Sequence, residues 1–444
     1  MRLPLLSLAF AIAAVLSAQA STPGLEVSAN GRYLQWSDGS PFYPAADTAW
    51  RLATAYTEVE REAYLDQTVK DGFSAVLFSA VFPTGEAGGL STGFHDQDLT
   101  QPKEAHWAKV DATVRAITDR GLVAIVSPFW KRGLDDILEG LEPEVCYRFG
   151  QWFANRYREN PKVIYFIGGD QRPGRGHTAL VAIAKGIQSV YEGQAILAYH
   201  ASSDYSSVEA FNDTPDWLRW NWTYAYSPAY KIKYPFAHNH ANYNAAALPI
   251  FYSEGYYSAG PEIRIAQGKT TDRWGSRYVL RRQAWWASFL SGAAGQAYGA
   301  EAIWAYRRHG ITWQKALKDP SRDDFQQLIR LVNQVPWWTF KPDIEGELLI
   351  REPGEAGDKQ AIAAISEGGT MALVYTPVQQ ALRLDPSALG TGPWEVEWVD
   401  PVNGDTRPVP EALWNTGEAV EIRSPRRNHA GDSDFLLRLH VVAQ

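Results

Sequence analysis

Between residues 41 and 335 eight short apolar runs alternate with stretches of helical spacing, and this alternation restricts the fold more than any other feature. Short runs rich in Val, Ile, Phe and Tyr read as strands buried on both faces, and strands separated by helices pair in parallel. The runs are PFYPAADTAW (41–50), FSAVLFSA (73–80), LVAIVSPFW (122–130), VIYFIGGD (163–170), AILAYHAS (195–202), WLRWNWTYAYS (217–227), PIFYSEGYY (249–257) and GQAYGAEAIWAY (295–306). The fifth and sixth have the least regular pattern.

The helices between them carry their own signals. Thr57 with Glu60 forms a capping box, and Gly72 follows as a helix stop. A second helix covers 104–120 and ends at Gly121; a third begins with Pro143 and is stopped by Asn160-Pro161. Further helical patterns cover 177–191, 274–290 and 323–335. Eight strand-like runs alternating with helices over about 300 residues predict a (β/α)₈ barrel. The runner-up, a doubly wound open sheet, lacks a phosphate-binding GxGxxG or GxxxxGK[ST] after any strand.

The flanks differ from this core. Residues 1–20 have one basic residue, an apolar run and Ala18-Gln19-Ala20 as a small-x-small site, so they predict a cleaved export signal and a periplasmic or secreted chain. A hairpin is expected over 25–42, ahead of a barrel unit spanning 21–339. Past residue 340 the helical spacing gives way to short alternating runs with Gly, Pro, Asn and Asp turns, which predicts a small antiparallel β-sandwich over 340–444. The sandwich is expected to buttress the barrel rather than to anchor it to a surface.

The formal net charge is -8, becoming -9 once a leader whose sole charge is Arg2 is removed. No long basic stretch exists, which argues against nucleic acid as a partner, and no membrane insertion is expected of the mature chain. The single Cys146 sits in a helical pattern and cannot form an intramolecular disulfide, so it reads as a small buried hydrophobe. His200, His238 and His240 invite a metal reading, but the His-x-His pair has no third ligand at recognisable spacing, and neither a metal nor another cofactor is expected. The GxSxG match at Gly89-Leu90-Ser91-Thr92-Gly93 falls in a Gly-rich loop and not in a strand-to-helix turn, so no Ser-His-Asp hydrolase is expected.

Two apolar runs end in a carboxylate beside glycine: Asp170 after Gly168-Gly169, and Glu254 before Gly255. A barrel gathers its strand ends around one mouth, and two carboxyl groups flanking a bond are what glycoside hydrolysis requires. Aromatic residues at strand ends (Trp50, Phe82, Trp130, Tyr256, Tyr257, Tyr298) suit the apolar face of a sugar ring. Arg172 and His200, near the ends of the fourth and fifth strands, join them as polar candidates. The plainer readings are that Asp170 caps the next helix and that Glu254 pairs with Arg172 or Arg281.

The segments GRYLQWSDGSPFYPAADTAW, GGDQRP, the seventh-strand Glu254 and the run from Arg282 to Gly299 resemble the apiosidase-like glycoside hydrolases, family 140. The resemblance covers most of residues 31–335, and the trailing segment with WVDPVNG is similar to the β-domain that commonly follows that barrel. That β-domain is sometimes labelled collagen-binding, which nothing in these residues supports. The resemblance implies a (β/α)₈ barrel with Asp170 as general acid/base and Glu254 as nucleophile. It also implies substrate binding by Asp47, although Ala46 stands where the family often has Gly.

The candidate site is therefore Asp170 and Glu254 as catalytic residues, with Asp47, Trp50, Trp130, Arg172, His200, Tyr256 and Tyr298 binding a polysaccharide or oligosaccharide. A retaining mechanism requires the carboxyl groups about 5–5.5 Å apart, Asp170 protonated through a raised pKa, and Glu254 ionised. A non-catalytic polysaccharide-binding barrel is the alternative.

Overall fold

A computed structural model describes residues 24–442, apart from 84–88, 204, 213, 226–234, 259–275, 309, 351–356, 358, 412–413 and 415–417. The export signal, and parts of the second and sixth loops, lie outside the described residues.

Eight parallel strands form the barrel: β1 (Ala45–Thr48), β2 (Ala75–Ser79), β3 (Val123–Ser127), β4 (Val163–Gly168), β5 (Leu197–His200), β6 (Asn221–Tyr224), β7 (Ile250–Glu254) and β8 (Gln296–Gly299). Hydrogen bonding runs in the order β5-β4-β3-β2-β1-β8-β7-β6, which excludes the doubly wound sheet. The ring is completed at β5 and β6 by a side chain instead of a ladder. Ser207, fully buried at the start of the short helix Ser207–Phe211, donates through Oγ to the Tyr199 carbonyl at 2.7 Å and accepts from the Trp222 amide at 2.9 Å. The Arg219 amide adds a bond to the Leu197 carbonyl at 3.1 Å. This serine seam accounts for the weak strand pattern on either side of it.

Alternation along each strand sorts the side chains into two layers. Ala46, Leu77, Ile125, Phe166, Ala198, Trp222, Phe251 and Ala297 fill the barrel interior, with bulky rings on β4, β6 and β7 set against alanines on β1, β5 and β8. Their neighbours Val76, Val126, Ile167, Tyr199, Tyr252 and Tyr298 pack outward against the helices. Leu34 and Phe42, from a three-stranded antiparallel sheet (Leu25–Val27, Leu34–Trp36, Pro41–Phe42), belong to the interior layer and plug the end of the barrel opposite the strands' carboxyl termini.

The expected helix signals are realised. Thr57 and Glu60 close a capping box on Glu58–Lys70, and Pro143 opens Pro143–Asn155. The pattern over 274–290 resolves into an α-helix at Arg277–Arg282, a π-helical turn at Gln283–Ser288 and a 3₁₀ turn at Phe289–Ser291. The π turn swings Gln283 Oε1 within 2.6 Å of the Tyr256 amide, which fastens the loop beyond β7. Among the described residues no helix is long and apolar enough to cross a membrane.

Beyond the barrel, a six-stranded antiparallel sheet and a two-stranded one (Ala381–Leu384 with Val420–Arg423) enclose a separate apolar core. The sandwich is joined to the barrel by a buried ion cluster. Arg281, with no exposed side-chain surface, donates to both Asp434 oxygens at 2.7 Å and to Asp324 at 2.9 Å. Asp434 is further held by Tyr375 Oη at 3.0 Å and Asn428 Nδ2 at 2.8 Å.

Candidate active site

The turn after β4 is built for one purpose, presenting Asp170. Gly168, Gly169 and Asp170 take φ values of 102°, 138° and 52°, and a Cβ on Gly169 would lie 2.7 Å from the Trp130 ring. Three consecutive residues with positive φ are costly for side-chain-bearing residues, so the two glycines leave Asp170 alone to bear the strain. The turn is pinned by the Lys131 amide on the Gly168 carbonyl (3.0 Å) and by the Gly169 amide on the His200 carbonyl (2.9 Å). Asp170 is about a quarter exposed, its Oδ2 stands 3.5 Å from Arg132, and its buried Oδ1 has no hydrogen-bond partner among the described residues.

Glu254 reaches the same mouth by a different device. Counted in alternation from Phe251, it would face the helices. The ladder between β6 and β7 slips by one residue between Tyr252 and Glu254, and this bulge turns the carboxylate inward. There Oε2 lies 2.9 Å from His200 Nε2, while His200 Nδ1 lies 3.1 Å from the Ala201 carbonyl. Trp50 Nε1 donates to Tyr257 Oη at 2.9 Å, and Tyr257 in turn donates to Glu254. Burial and the neighbouring charge of Asp170 push Glu254 up to about 7, against the opposing hydrogen bonds from His200 and Tyr257. Burial depresses the His200 imidazolium, but the bond to Glu254 and the nearby carboxylate charges outweigh it, and the net shift is upward.

One donor atom from each of Asp170, His200 and Glu254 lies within 4.8 Å of the other two, close enough for a cation to bridge them. Both imidazole nitrogens are already engaged, one by Ala201 and one by Glu254, so the ring has no lone pair to spare and the trio is arranged for protons. His238, from the His-x-His pair, is committed to Glu209 at 2.7 Å. Cys146 is buried, and burial pushes its thiol up to about 11.

The two carboxylates stand at the junction of a two-lobed cleft. One lobe, about 260 Å³, is walled by Trp50, Phe82, Pro83 and Trp130. The other, about 620 Å³, is walled by Gln171, Ser202, Ser203, Tyr224 and Glu301. Arg132, Asp170, Glu254, Tyr257 and Trp304 line both. An aromatic lobe beside a hydroxyl-rich one suits a polyhydroxylated ring with apolar faces.

Of the residues singled out by sequence, Asp170, Glu254, Trp50 and Trp130 line this cleft and His200 lies directly beneath it. Four others are placed elsewhere. Asp47 is fully buried on the outer face of β1, ion-paired with Arg322 at 2.8 Å. Tyr298, also outward, bonds Ser321 at 3.0 Å and packs on Phe73 and Phe325. Both are one residue out of phase with the inward positions Ala46 and Ala297, and the period of two sends them to the helix layer. Arg172 is exposed, 3.3 Å from Asn212 and over the Tyr205 ring, and Tyr256 yields its place to Tyr257. Glu254 pairs with neither Arg172 nor Arg281. Arg132, Glu301, Trp304 and Tyr224 escaped notice, although each falls at or just beyond the end of a strand-like run.

Comparison with known proteins agrees with this geometry. The family model described as "Apiosidase-like, catalytic domain" matches residues 28–339. A crystal structure of a glycoside hydrolase family 5 protein from Bacteroides vulgatus ATCC 8482 superposes with a TM-score of 0.79 at 21% identity, covering 95% of this chain and 93% of that one. A second structure, of a glycoside hydrolase, gives 0.77 at 20% identity over 95% and 97%. An alpha-amylase from Geobacillus thermoleovorans gives 0.55 at 13% over 90% and 99%. At such identities the likeness is one of fold. A search of curated proteins finds no match. The family match spans most of the chain, and on that ground the protein belongs to the apiosidase-like family of glycoside hydrolases.

Proposed function

We propose that the chain is an exported retaining glycosidase acting on a plant or microbial polysaccharide or oligosaccharide, with Asp170 as general acid/base and Glu254 as nucleophile. The observation that carries this reading is that one oxygen of Asp170 and one of Glu254 lie within 4.8 Å of each other at the junction of the cleft. Retaining and inverting enzymes differ in carboxyl separation, about 5–5.5 Å against about 6.5–9.5 Å, and the anomer released tells them apart. Asp170 gives its proton to the leaving oxygen while Glu254 attacks the anomeric carbon, and Asp170 then deprotonates the water that releases the sugar. Trp50 and Trp130 stack on the ring. Export rests on the leader-like residues 1–20.

One observation favours exchanged roles. Glu254, the more buried carboxyl, is the one pushed up to about 7, and Asp170 stands beside a guanidinium. That would make Glu254 the acid and Asp170 the attacking group.

Residues 21–444 are to be assayed against apiose-containing pectin fragments and a panel of aryl furanosides and pyranosides, with Glu254→Gln and Asp170→Asn alongside. Release by wild type alone, with the anomer retained, supports the proposal. A fluorinated glycoside that traps its ester on Glu254 fixes the roles as stated, and an ester on Asp170 reverses them. Unaltered oligosaccharides with measurable binding would make the barrel a binding protein.

A further inference from the structure

His200 carries no exposed surface, so it does not touch substrate, yet it is the most elaborately surrounded side chain of the site. Its two nitrogens settle what protons it holds. The Ala201 carbonyl, 3.1 Å from Nδ1, can only accept, so Nδ1 carries hydrogen. Nε2 faces Glu254 Oε2 at 2.9 Å. A proton must lie on that axis, because otherwise two lone pairs would oppose each other inside the protein. Either the ring is neutral and Glu254 is a carboxylic acid, or the ring is an imidazolium and Glu254 a carboxylate.

The surroundings choose between them. Five aromatic rings enclose the imidazole: Trp50 at 5.4 Å, Trp130 at 5.2 Å, Phe166 at 6.3 Å, Trp222 at 5.7 Å and Tyr224 at 5.2 Å between centroids. Four of these centroids lie within the roughly 6 Å at which an aromatic face attracts a cation, a gain that a neutral imidazole does not share. The titratable and charged groups facing the pair and its cleft are Asp170 from the turn after β4, Tyr224 from β6, Tyr257 from beyond β7, Glu301 from beyond β8 and Arg132 from beyond β3. Among the described residues Arg132 is the only cation lining either lobe, and its side chain is about two-thirds exposed. A neutral His200 would leave Asp170 without a buried counter-charge.

We infer that His200 is a positioning residue held as an imidazolium, donating from Nδ1 to Ala201 and from Nε2 to Glu254, and that its charge keeps the buried Glu254 a carboxylate ready to attack. This rests on Glu254 being the nucleophile. In the first step the glycosidic C–O bond breaks, the Asp170 proton goes to the leaving oxygen, and the anomeric carbon bonds to a Glu254 oxygen. Water then attacks that carbon, one of its protons passes to Asp170, and the electron pair of the ester bond returns to Glu254. The His200 proton stays in place throughout, and its charge makes Glu254 a better leaving group in the second step.

The test is nitrogen-15 NMR of histidine-labelled protein at pH 8, where Glu254 is ionised, in wild type, Glu254→Gln and His200→Gln, together with pH profiles of kcat for wild type and His200→Gln. The chain has nine histidines, and the signal that vanishes in His200→Gln identifies this one. Wild type should show both ring nitrogens protonated, and Glu254→Gln should return the ring to its neutral Nδ1–H form. His200→Gln keeps a donor but no charge, so the acidic limb of kcat should move up by about 1–2 pH units, with kcat at pH 6.5 down roughly 10- to 100-fold and KM unchanged. A neutral imidazole in wild type overturns the inference, as does an unmoved limb in a folded His200→Gln. If that variant fails to fold, wild type and Glu254→Gln decide it by NMR alone. A wild type that hydrolyses nothing would sink the glycosidase reading, while the NMR signal still reports the charge.

Discussion

The carbonyl oxygen of His200 accepts from the Gly169 amide at 2.9 Å, so the residue whose ring holds Glu254 also pins, through its backbone, the turn that presents Asp170. The spacing of the two carboxylates is thus set by one residue of β5. Gly169→Ala tests this from the other side. Its Cβ would strike the Trp130 ring, and its φ of 138° suits only glycine. The variant should lose about 1–3 kcal/mol of stability and activity by at least roughly 100-fold, since a misplacement of an ångström at the reacting centre costs that much. Parallel denaturant melts and rate measurements would check both.

Glu254 has a pH signature with a defined sign. Its folded value, pushed up to about 7, exceeds that of the unfolded chain, so the folded state binds the proton more tightly. Its contribution to stability is complete below the unfolded value and is lost as pH rises toward 7. Glu254→Gln should therefore gain stability relative to wild type between pH 4.5 and 7.5, by about 2–3 kcal/mol across the window. Activity of wild type should rise through an acidic limb near 7. Melts of both proteins at intervals across that range would show the two curves diverging, and parallel curves would refute the assignment.

Ser207→Ala removes the hydroxyl that bridges Tyr199 and Trp222. With a backbone amide and a carbonyl left short of partners in the interior, the cost should be about 2–4 kcal/mol. Ser207→Thr, which keeps the oxygen, should recover part of it.

At the junction with the sandwich, Arg281→Met would leave Asp434 buried without its cation, while Asp324 keeps Arg277 at 2.8 Å. Removing one member of a buried charge cluster typically costs about 3–5 kcal/mol. Truncation after residue 339 removes Asp432 and Asp434 together and should unfold the barrel, as judged by circular dichroism. A truncated protein that kept its fold and its activity on soluble substrates, but released insoluble polysaccharide, would make the sandwich an anchor.

Much of this architecture is legible in the residue order. The capping box at Thr57, the stop at Gly72 and the Gly-Gly-Asp ending of β4 each follow from local chemistry, and eight repetitions leave few folds to choose from. What escaped depends on phase. Asp47 and Tyr298 look like strand-end ligands until the period of two is anchored on Ala46 and Ala297, and only the assembled barrel supplies that anchor. Glu254 is the reverse case: strict alternation would have turned it outward, and the bulge that brings it in leaves no mark in the sequence. The bond between His200 and Glu254 joins residues 54 positions apart, so no local pattern could announce it.

The serine seam between β5 and β6 has an enzymological consequence. Every other junction of the ring is a ladder of backbone bonds, whereas this one leans on the Ser207 hydroxyl and one backbone bond from Arg219, and it adjoins the strand that ends in His200. Mild heating or dilute urea should part the ring there first, disarming the catalyst while tryptophans packed elsewhere still report a folded molecule. Inactivation would then precede denaturation, and a saccharide bound across the mouth would close the interval between them.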